Sequence, residues 1–126
     1  MAKEVQQEAE EELAKANEVL TTKQEAVQQL EKEKERVNVE KREIEQYQKN
    51  IDYYLKDSYT PEYRKPALKA RINELEDKIE EKNDQIITVD AKKEIATQEL
   101  NTQTYEVASI SKRANEAATQ VQRAEH

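Results

Sequence analysis

Tyrosine is the residue type of this 126-residue sequence whose placement most suggests a chemical role. The chain has six tyrosines, and all but one fall in one short segment: Tyr47, Tyr53, Tyr54, Tyr59 and Tyr63. A tyrosine side chain joins a large apolar ring to a polar hydroxyl, so tyrosine recurs at protein recognition surfaces. Arg64 and Lys65 follow directly and give the segment a basic edge on a chain of net charge -7. We predict a partner-binding site here, with five candidate residues: Tyr53, Tyr59, Tyr63, Arg64 and Lys65.

A structural role is the alternative for the same tyrosines. Their rings can pack over the open end of a helical core and hold the loop in place. Both roles can hold together, because Tyr53 occupies an outer position of the predicted helix whereas Tyr47 and Tyr54 flank its core face.

Residue types that perform catalysis are scarce. The sequence has no cysteine and no glycine, and its single histidine is His126 at the end of the chain. The acidic residues are spread along predicted helices, without a cleft that would shift their pKa values. Adjacent acids such as Glu80 and Glu81 are ligand types for a hard cation, but on a solvated helix we expect no metal site. We predict a non-enzymatic protein without a metal or cofactor.

The amino-acid composition narrows the class of protein further. The chain is 39% charged and 35% hydrophobic, which is too polar for a thick core, yet its pattern is too regular for disorder. Without glycine, tight hairpin turns and phosphate-binding loops are disfavoured. The negative charge opposes binding to nucleic acid. The sequence has no run of about 18 apolar residues, so it predicts no membrane span. No segment resembles a secretory leader.

Two heptad patterns position the tyrosine segment. Two stretches, residues about 3–56 and about 66–123, are rich in Glu, Gln, Lys, Ala and Leu. The first predicts one helix of about 80 Å and the second one of about 85 Å. In the first arm, heptad position a runs through Leu13, Leu20 and Val27, and position d through Ala9, Ala16 and Lys23. The second arm continues the same alternation from Leu68 to Ala124.

Folding the chain back so that Leu55 meets Leu68 pairs the two patterns without a slip. The resulting layers include Ile51 with Ile72, Ile44 with Ile79, Val37 with Ile86, Ala16 with Val107, and, at the far end, Ala2 with Val121. Only the layer of Lys41 with Lys82 has no apolar side chain. We predict an all-α fold, a long antiparallel two-helix coiled-coil hairpin over residues 1–126, with an apex loop at about 57–65.

Flanking positions support the same pairing. The predicted contacts on one flank are attractive: Tyr54 with Arg71, Tyr47 with Lys78, Glu33 with Lys92, and Glu12 with Arg113. The other flank has two repulsive contacts, Glu45 with Glu76 and Glu31 with Asp90. We expect the core lysines nearby to compensate these acids, namely Lys34, Lys41, Lys82 and Lys93.

Polar residues in the core have two interpretations. They lower stability but disfavour slipped pairings, so they can set the register of the two helices. Alternatively, a less stable middle lets the helices slide and transmit a signal.

The apex segment has its own local signals. Thr60, Pro61 and Glu62 have the pattern of an N-cap, a proline at the first helical position and an acid near the helix N-terminus. We predict a short helical turn over about 61–64. Pro66 disfavours helical geometry at Lys65, so the second long helix is expected to start afresh at Pro66.

A small apolar stripe lies on the outer face of the second arm, at Ile87, Ala91 and Ile95. It can mark lateral association of hairpins or docking of a third helix, with Ile87 and Ile95 as candidate contacts. A tolerated exposed patch is the alternative.

Two resemblances bear on function. The steps Leu13-Ala14-Lys15-Ala16-Asn17-Glu18 and Lys23-Gln24-Glu25-Ala26 resemble the helical stalk regions of Gram-positive cell-wall-anchored surface proteins. The organisation is also similar to the receptor-binding hairpin of enzymatic colicins, where a long coiled coil presents a loop at its tip. This sequence lacks the glycine-containing colicin tip and shows no cell-wall anchor, so no functional residue carries over. The first resemblance implies an adhesin-type stalk at the extracellular cell surface.

The sequence thus predicts a stalk that projects its tyrosine-rich apex, or a helical flank, toward a protein partner. The alternative is a scaffold hairpin that associates laterally with a second copy into a four-helix assembly.

Overall fold

The chain is an all-α helical hairpin, as its heptads predict. A computed structural model describes residues 2–125, and Met1 and His126 lie outside the described residues. Helix α1 is Ala2–Lys56, a 3₁₀ turn follows at Glu62–Arg64, and helix α2 is Lys65–Glu125. Both helices begin and end within about two residues of the predicted bounds. Neither contains, in the part described, a stretch long and apolar enough to cross a membrane.

Contacts divide the chain into two compact units, each built from one stretch of α1 and one of α2. The apex unit is Leu30–Lys92, and the terminal unit comprises the residues up to Gln29 and from Lys93 onward. In the apex unit, Lys34 Nζ lies 2.7 Å from Asp90, and Lys82 Nζ bonds Glu40 further along α1. Higher numbers on α1 thus meet lower numbers on α2, which makes the pair antiparallel.

The terminal unit has the same antiparallel order. Arg113 lies 3.4 Å from Glu12, which is the predicted flank contact. Gln103, earlier on α2, bonds Ala16, which is later on α1. Near the open end of the pair, Lys3 at the start of α1 lies 3.5 Å from Glu125 at the end of α2.

The predicted heptad positions form the core of both units. Every such position from Ala9 to Leu55 and from Leu68 to Val121 is buried or half-buried. The side chain of Ala2, predicted to pair with Val121, lies outside the described residues. Ala124, the last position of the pattern, is exposed, because the described part of α1 has no residue opposite it. Among the described residues, the buried apolar side chains are Val37, Ile51, Leu75 and Val89 in the apex unit, and Ala16, Ile110, Ala114, Ala117 and Val121 in the terminal unit.

Acids beside the core compensate its lysines. Lys34 pairs with Asp90, and Lys41 lies 3.6 Å from Glu45 within α1. Both acids belong to the flank predicted to be repulsive, so the predicted compensation is confirmed for them. Lys82 pairs instead with Glu40, on the opposite flank, at 2.5 Å. This hydrogen bond from Lys82 holds the pKa of Glu40 below its ordinary value of 4.5.

The connection between the helices needs no glycine. No described residue adopts a positive φ angle, the conformation for which glycine is usually required. The Asp57 amide donates to Tyr54 O at 3.3 Å, and the Thr60 amide donates to Asp57 O at 3.1 Å. The Asp57 carboxylate also accepts the Tyr59 amide at 3.0 Å. An aspartate that bonds the backbone two residues later thus replaces the left-handed residue that ends many helices.

Two local predictions at the apex are wrong. Pro61, not Thr60, occupies the N-cap position of the 3₁₀ turn, and no side chain caps it. The Arg64 amide bonds Pro61 O at 3.0 Å, and the Lys65 amide bonds Glu62 O, so the turn runs directly into α2. The second long helix was expected to start afresh at Pro66, but α2 already begins at Lys65. Lys65 is helical, with φ -61° and ψ -41°, although Pro66 follows it. Pro66 is tolerated because amides in the first turn of a helix have no partner within the helix.

Candidate protein-binding apex

The apex exposes its predicted tyrosines. Tyr59 is 92% exposed, Tyr63 is 82% exposed and Tyr53 is 69% exposed. Tyr59 extends from the connecting turn and Tyr63 from the 3₁₀ turn, so neither ring covers the end of the core. The packing interpretation is therefore wrong for these two tyrosines, whose rings are free to contact another molecule.

The two tyrosines at the end of α1 make a ring pair. Tyr53 and Tyr54 meet edge to face, with their centroids 5.8 Å apart and their planes at 78°. Such a contact favours one relative orientation of the rings. Tyr53 therefore presents its ring from an ordered position at the end of α1.

Arg71 lies against a different tyrosine from the one predicted. Its guanidinium lies 5.7 Å from the ring centroid of Tyr47, not over Tyr54. The cause is Glu74, which accepts a hydrogen bond from Arg71 at 2.8 Å and lies further along α2, away from the turn. The same bond raises the pKa of Arg71. Drawn toward Glu74, the guanidinium reaches Tyr47, which is likewise further from the turn than Tyr54.

A cavity of about 340 Å³ opens beside the exposed turn. Its wall combines aromatic and aliphatic residues with residues that carry a carboxylate, a hydroxyl and a guanidinium. The lining residues are Tyr54, Asp57, Tyr59, Thr60, Pro61, Arg64 and Leu68. Sequence reasoning named only Tyr59 and Arg64 of these as site residues. The spacing of Asp57 and Tyr59 is the signal that could have located the turn, since aspartate commonly bonds the backbone two residues later.

The two predicted basic candidates have different surroundings. Lys65 donates to Glu62 at 2.7 Å, and this bond lowers the pKa of Glu62 below its ordinary value of 4.5. The Arg64 guanidinium lines the cavity and makes no hydrogen bond or ion pair with another described residue. Lys65 therefore holds the 3₁₀ turn, whereas Arg64 is the cation available to a ligand.

The candidate lateral contacts are exposed in their separate units. Ile87 is 66% exposed in the apex unit, and Ile95 is 58% exposed in the terminal unit. Each is therefore accessible to another molecule. Within residues 2–125, no group of three or more His, Cys, Asp or Glu side chains is placed to hold a metal ion.

Comparison of the chain with protein-family models, with curated proteins and with solved structures gave no match. The fold and the site define the class of the molecule, an antiparallel helical hairpin with an aromatic apex. The resemblance to surface-protein stalks and colicin hairpins stays a prediction.

Proposed function

We propose that the chain is a non-catalytic structural protein whose apex binds a protein partner through Tyr59 and Tyr63. The observation that carries the proposal is their exposure, 92% and 82%, on a turn held by backbone and side-chain hydrogen bonds. Exposed aromatic rings have apolar area that a partner can bury, at about 25 cal/mol per Å². A turn that is already ordered also loses little conformational entropy on binding.

The cell surface is the proposed setting for this function. The residue steps that resemble Gram-positive stalk regions support it, and in that setting the hairpin would serve as the stalk of an adhesin. Detection of the intact protein by an antibody on unpermeabilised cells tests this setting. A signal seen only after permeabilisation would contradict it, and would leave the binding role of the apex standing.

Replacing both apex tyrosines, Tyr59→Ala and Tyr63→Ala, is expected to weaken partner binding by at least tenfold. Aromatic residues that dominate interfaces contribute about 2 kcal/mol or more each, so tenfold is a conservative expectation. Stability should change little, because neither ring is buried. A photo-crosslinking residue at position 58, an exposed serine next to Tyr59, leaves both tyrosines in place and identifies the partner in extracts of the source organism. Affinity for that partner is then measured by surface plasmon resonance, and stability by thermal unfolding.

Tyr105→Ala is the matched control for this pair. Tyr105 is 79% exposed and lies in the terminal unit. Its replacement should leave partner affinity unchanged. If the apex variant bound the crosslinked partner as tightly as the parent chain, or if it unfolded at a clearly lower temperature, the proposed role of the apex would be wrong.

A scaffold role is the second candidate, and the exposure of Ile87 favours it. Burial of a large apolar side chain against a second hairpin would produce a four-helix assembly. Sedimentation equilibrium separates the two candidates, and we expect a monomer at micromolar concentration. A stable dimer that Ile87→Ser converts to monomer would support the scaffold instead.

A further inference from the structure

The apex cavity combines an unpaired cation with aromatic and apolar walls. Three of the six arginines bond a carboxylate, namely Arg42, Arg71 and Arg113. Arg36, Arg64 and Arg123 bond none among the described residues, and of these three only Arg64 lines the apex cavity. Arg64 has no such partner among the described residues, although it lies beside Tyr59, Pro61 and Leu68 in the cavity wall. A guanidinium next to apolar surface binds a carboxylate more strongly than one in open water, because fewer water molecules compete.

The charge around the cavity favours an anion. Residues 57–71 contain four basic side chains and two acidic ones, in a chain whose net charge is -7. Two of the bases are already paired, since Lys65 bonds Glu62 and Arg71 bonds Glu74. Arg64 and Lys69 bond no described carboxylate, and the acid that stands against them is Asp57, one oxygen of which accepts the Tyr59 amide. Asp57 also lines the cavity, and its negative charge should repel a ligand carboxylate, so Arg64 is the lining residue that such a carboxylate would contact.

We infer that the apex binds an acidic segment of its protein partner, with one Asp or Glu carboxylate on the Arg64 guanidinium. An apolar side chain next to that carboxylate packs against Tyr59 and Pro61. The planar guanidinium matches the two oxygens of a carboxylate, which gives the contact a defined orientation. This inference rests on the proposed function, because it names the chemistry of the partner that the tyrosine apex binds.

A short peptide segment suits the cavity better than an extended polyanion. The cavity of about 340 Å³ has room for one or two side chains. A nucleic acid would bring many phosphates along acidic helices, and the net charge of -7 would repel them. The partner class is therefore a protein with a local acidic and apolar sequence.

Selection from a displayed random peptide library tests the inference. Peptides of about 12 residues are selected on the full chain and counter-selected on the Tyr59→Ala, Tyr63→Ala variant, so that only apex-dependent sequences remain. We expect these sequences to be enriched in Asp and Glu next to an apolar residue. Arg64→Gln should weaken binding of the selected peptides by at least tenfold, and raising the salt concentration should weaken binding to the parent chain.

Arg42→Gln is the control, because Arg42 is an exposed arginine of the same unit that lies outside the cavity and bonds Glu35. It should leave peptide binding unchanged. Recovery of neutral or basic peptides that depend on Tyr59 and Tyr63 would overturn the acidic partner and leave the tyrosine apex in place. Retained binding of acidic peptides by the Arg64→Gln variant would also overturn the inference. Recovery of no apex-dependent peptide would count against both proposals.

Discussion

Replacing Gln103 with glutamate is expected to lower the free energy of unfolding by about 2–4 kcal/mol at pH 7. Gln103 is only 6% exposed, and its Nε2 donates a hydrogen bond of 2.9 Å to the Ala16 carbonyl on the facing helix. An ionised carboxylate has no hydrogen to donate, so its oxygens would face that carbonyl oxygen. The variant would bury a charge without a partner at almost unchanged side-chain volume.

The pH dependence of the stability loss shows whether it comes from the charge of the introduced carboxylate or from a change in side-chain shape. Burial and the facing carbonyl raise the folded-state pKa of the introduced carboxyl above its unfolded value of about 4.3. The loss of stability is therefore complete above the raised pKa and disappears as the pH falls below about 4.3. There the protonated carboxyl can again donate to Ala16 O.

Urea unfolding followed by the helical circular dichroism signal measures the effect at pH 7 and pH 3, with the parent chain at each pH. Gln98→Glu is the control, because Gln98 is exposed in the same unit. It should change stability by less than about 0.5 kcal/mol. A loss for Gln103→Glu that is equal at both pH values would show that the hydrogen bond to Ala16 does not determine stability at this layer.

Replacing Lys41 and Lys82 together with leucine is expected to raise the free energy of unfolding by about 1–3 kcal/mol. Both lysines occupy core heptad positions, and their side chains are only 29% and 22% exposed. Leucine would fill these positions with apolar surface and remove two like charges from one layer. The ion pairs lost, with Glu45 and Glu40, involve partly exposed acids and contribute little at the protein surface. Thermal unfolding should shift upward by several degrees.

The gain from this double variant should also depend on pH. Because Lys82 lowers the folded-state pKa of Glu40, their pairing stabilises the parent chain above pH 4.5 and ceases to do so as the pH falls through the lowered pKa. The variant lacks this pairing at every pH, so its advantage should be larger at pH 3 than at pH 7. Lys32→Leu with Lys49→Leu is the control at exposed positions of the same unit. If the Lys41, Lys82 variant were no more stable than this control, the predicted Lys41 and Lys82 layer would lose its support.

The Gln103 variant also bears on whether polar core residues set the register of the helices or allow them to slide. Gln103 bonds a backbone carbonyl of the facing helix, and this bond breaks if the helices slip. The contact supports control of register, because a slipped pairing would leave the buried amide without its partner. The sliding interpretation requires such contacts to exchange at low cost. A large loss of stability in Gln103→Glu would argue against it.

Heptad spacing determined the helices and the core by itself. An apolar residue recurring every three or four positions can be buried on one face of a helix only, so the positions from Ala9 to Leu55 could be assigned without coordinates. Helix bounds followed from the uninterrupted helix formers of each arm and from the two prolines near residue 60. The predicted pairing of Glu12 with Arg113 also held, since both lie at flanking positions of one layer.

Side-chain partners and the exposure of the apex were decided only by the tertiary structure. Long side chains reach about one helical turn in either direction, so sequence spacing leaves several partners open. Arg71 accordingly reaches Tyr47 when Glu74 draws it along α2, and Lys82 selects Glu40 across the core. The position of Tyr59, over the core or away from it, depends on the path of the five residues that connect the helices. Hydrogen bonds to Asp57 fix this path, and no repeating sequence pattern predicts them. Periodicity therefore specified the fold, whereas the reach of individual side chains and the route of one short turn produced the candidate binding surface.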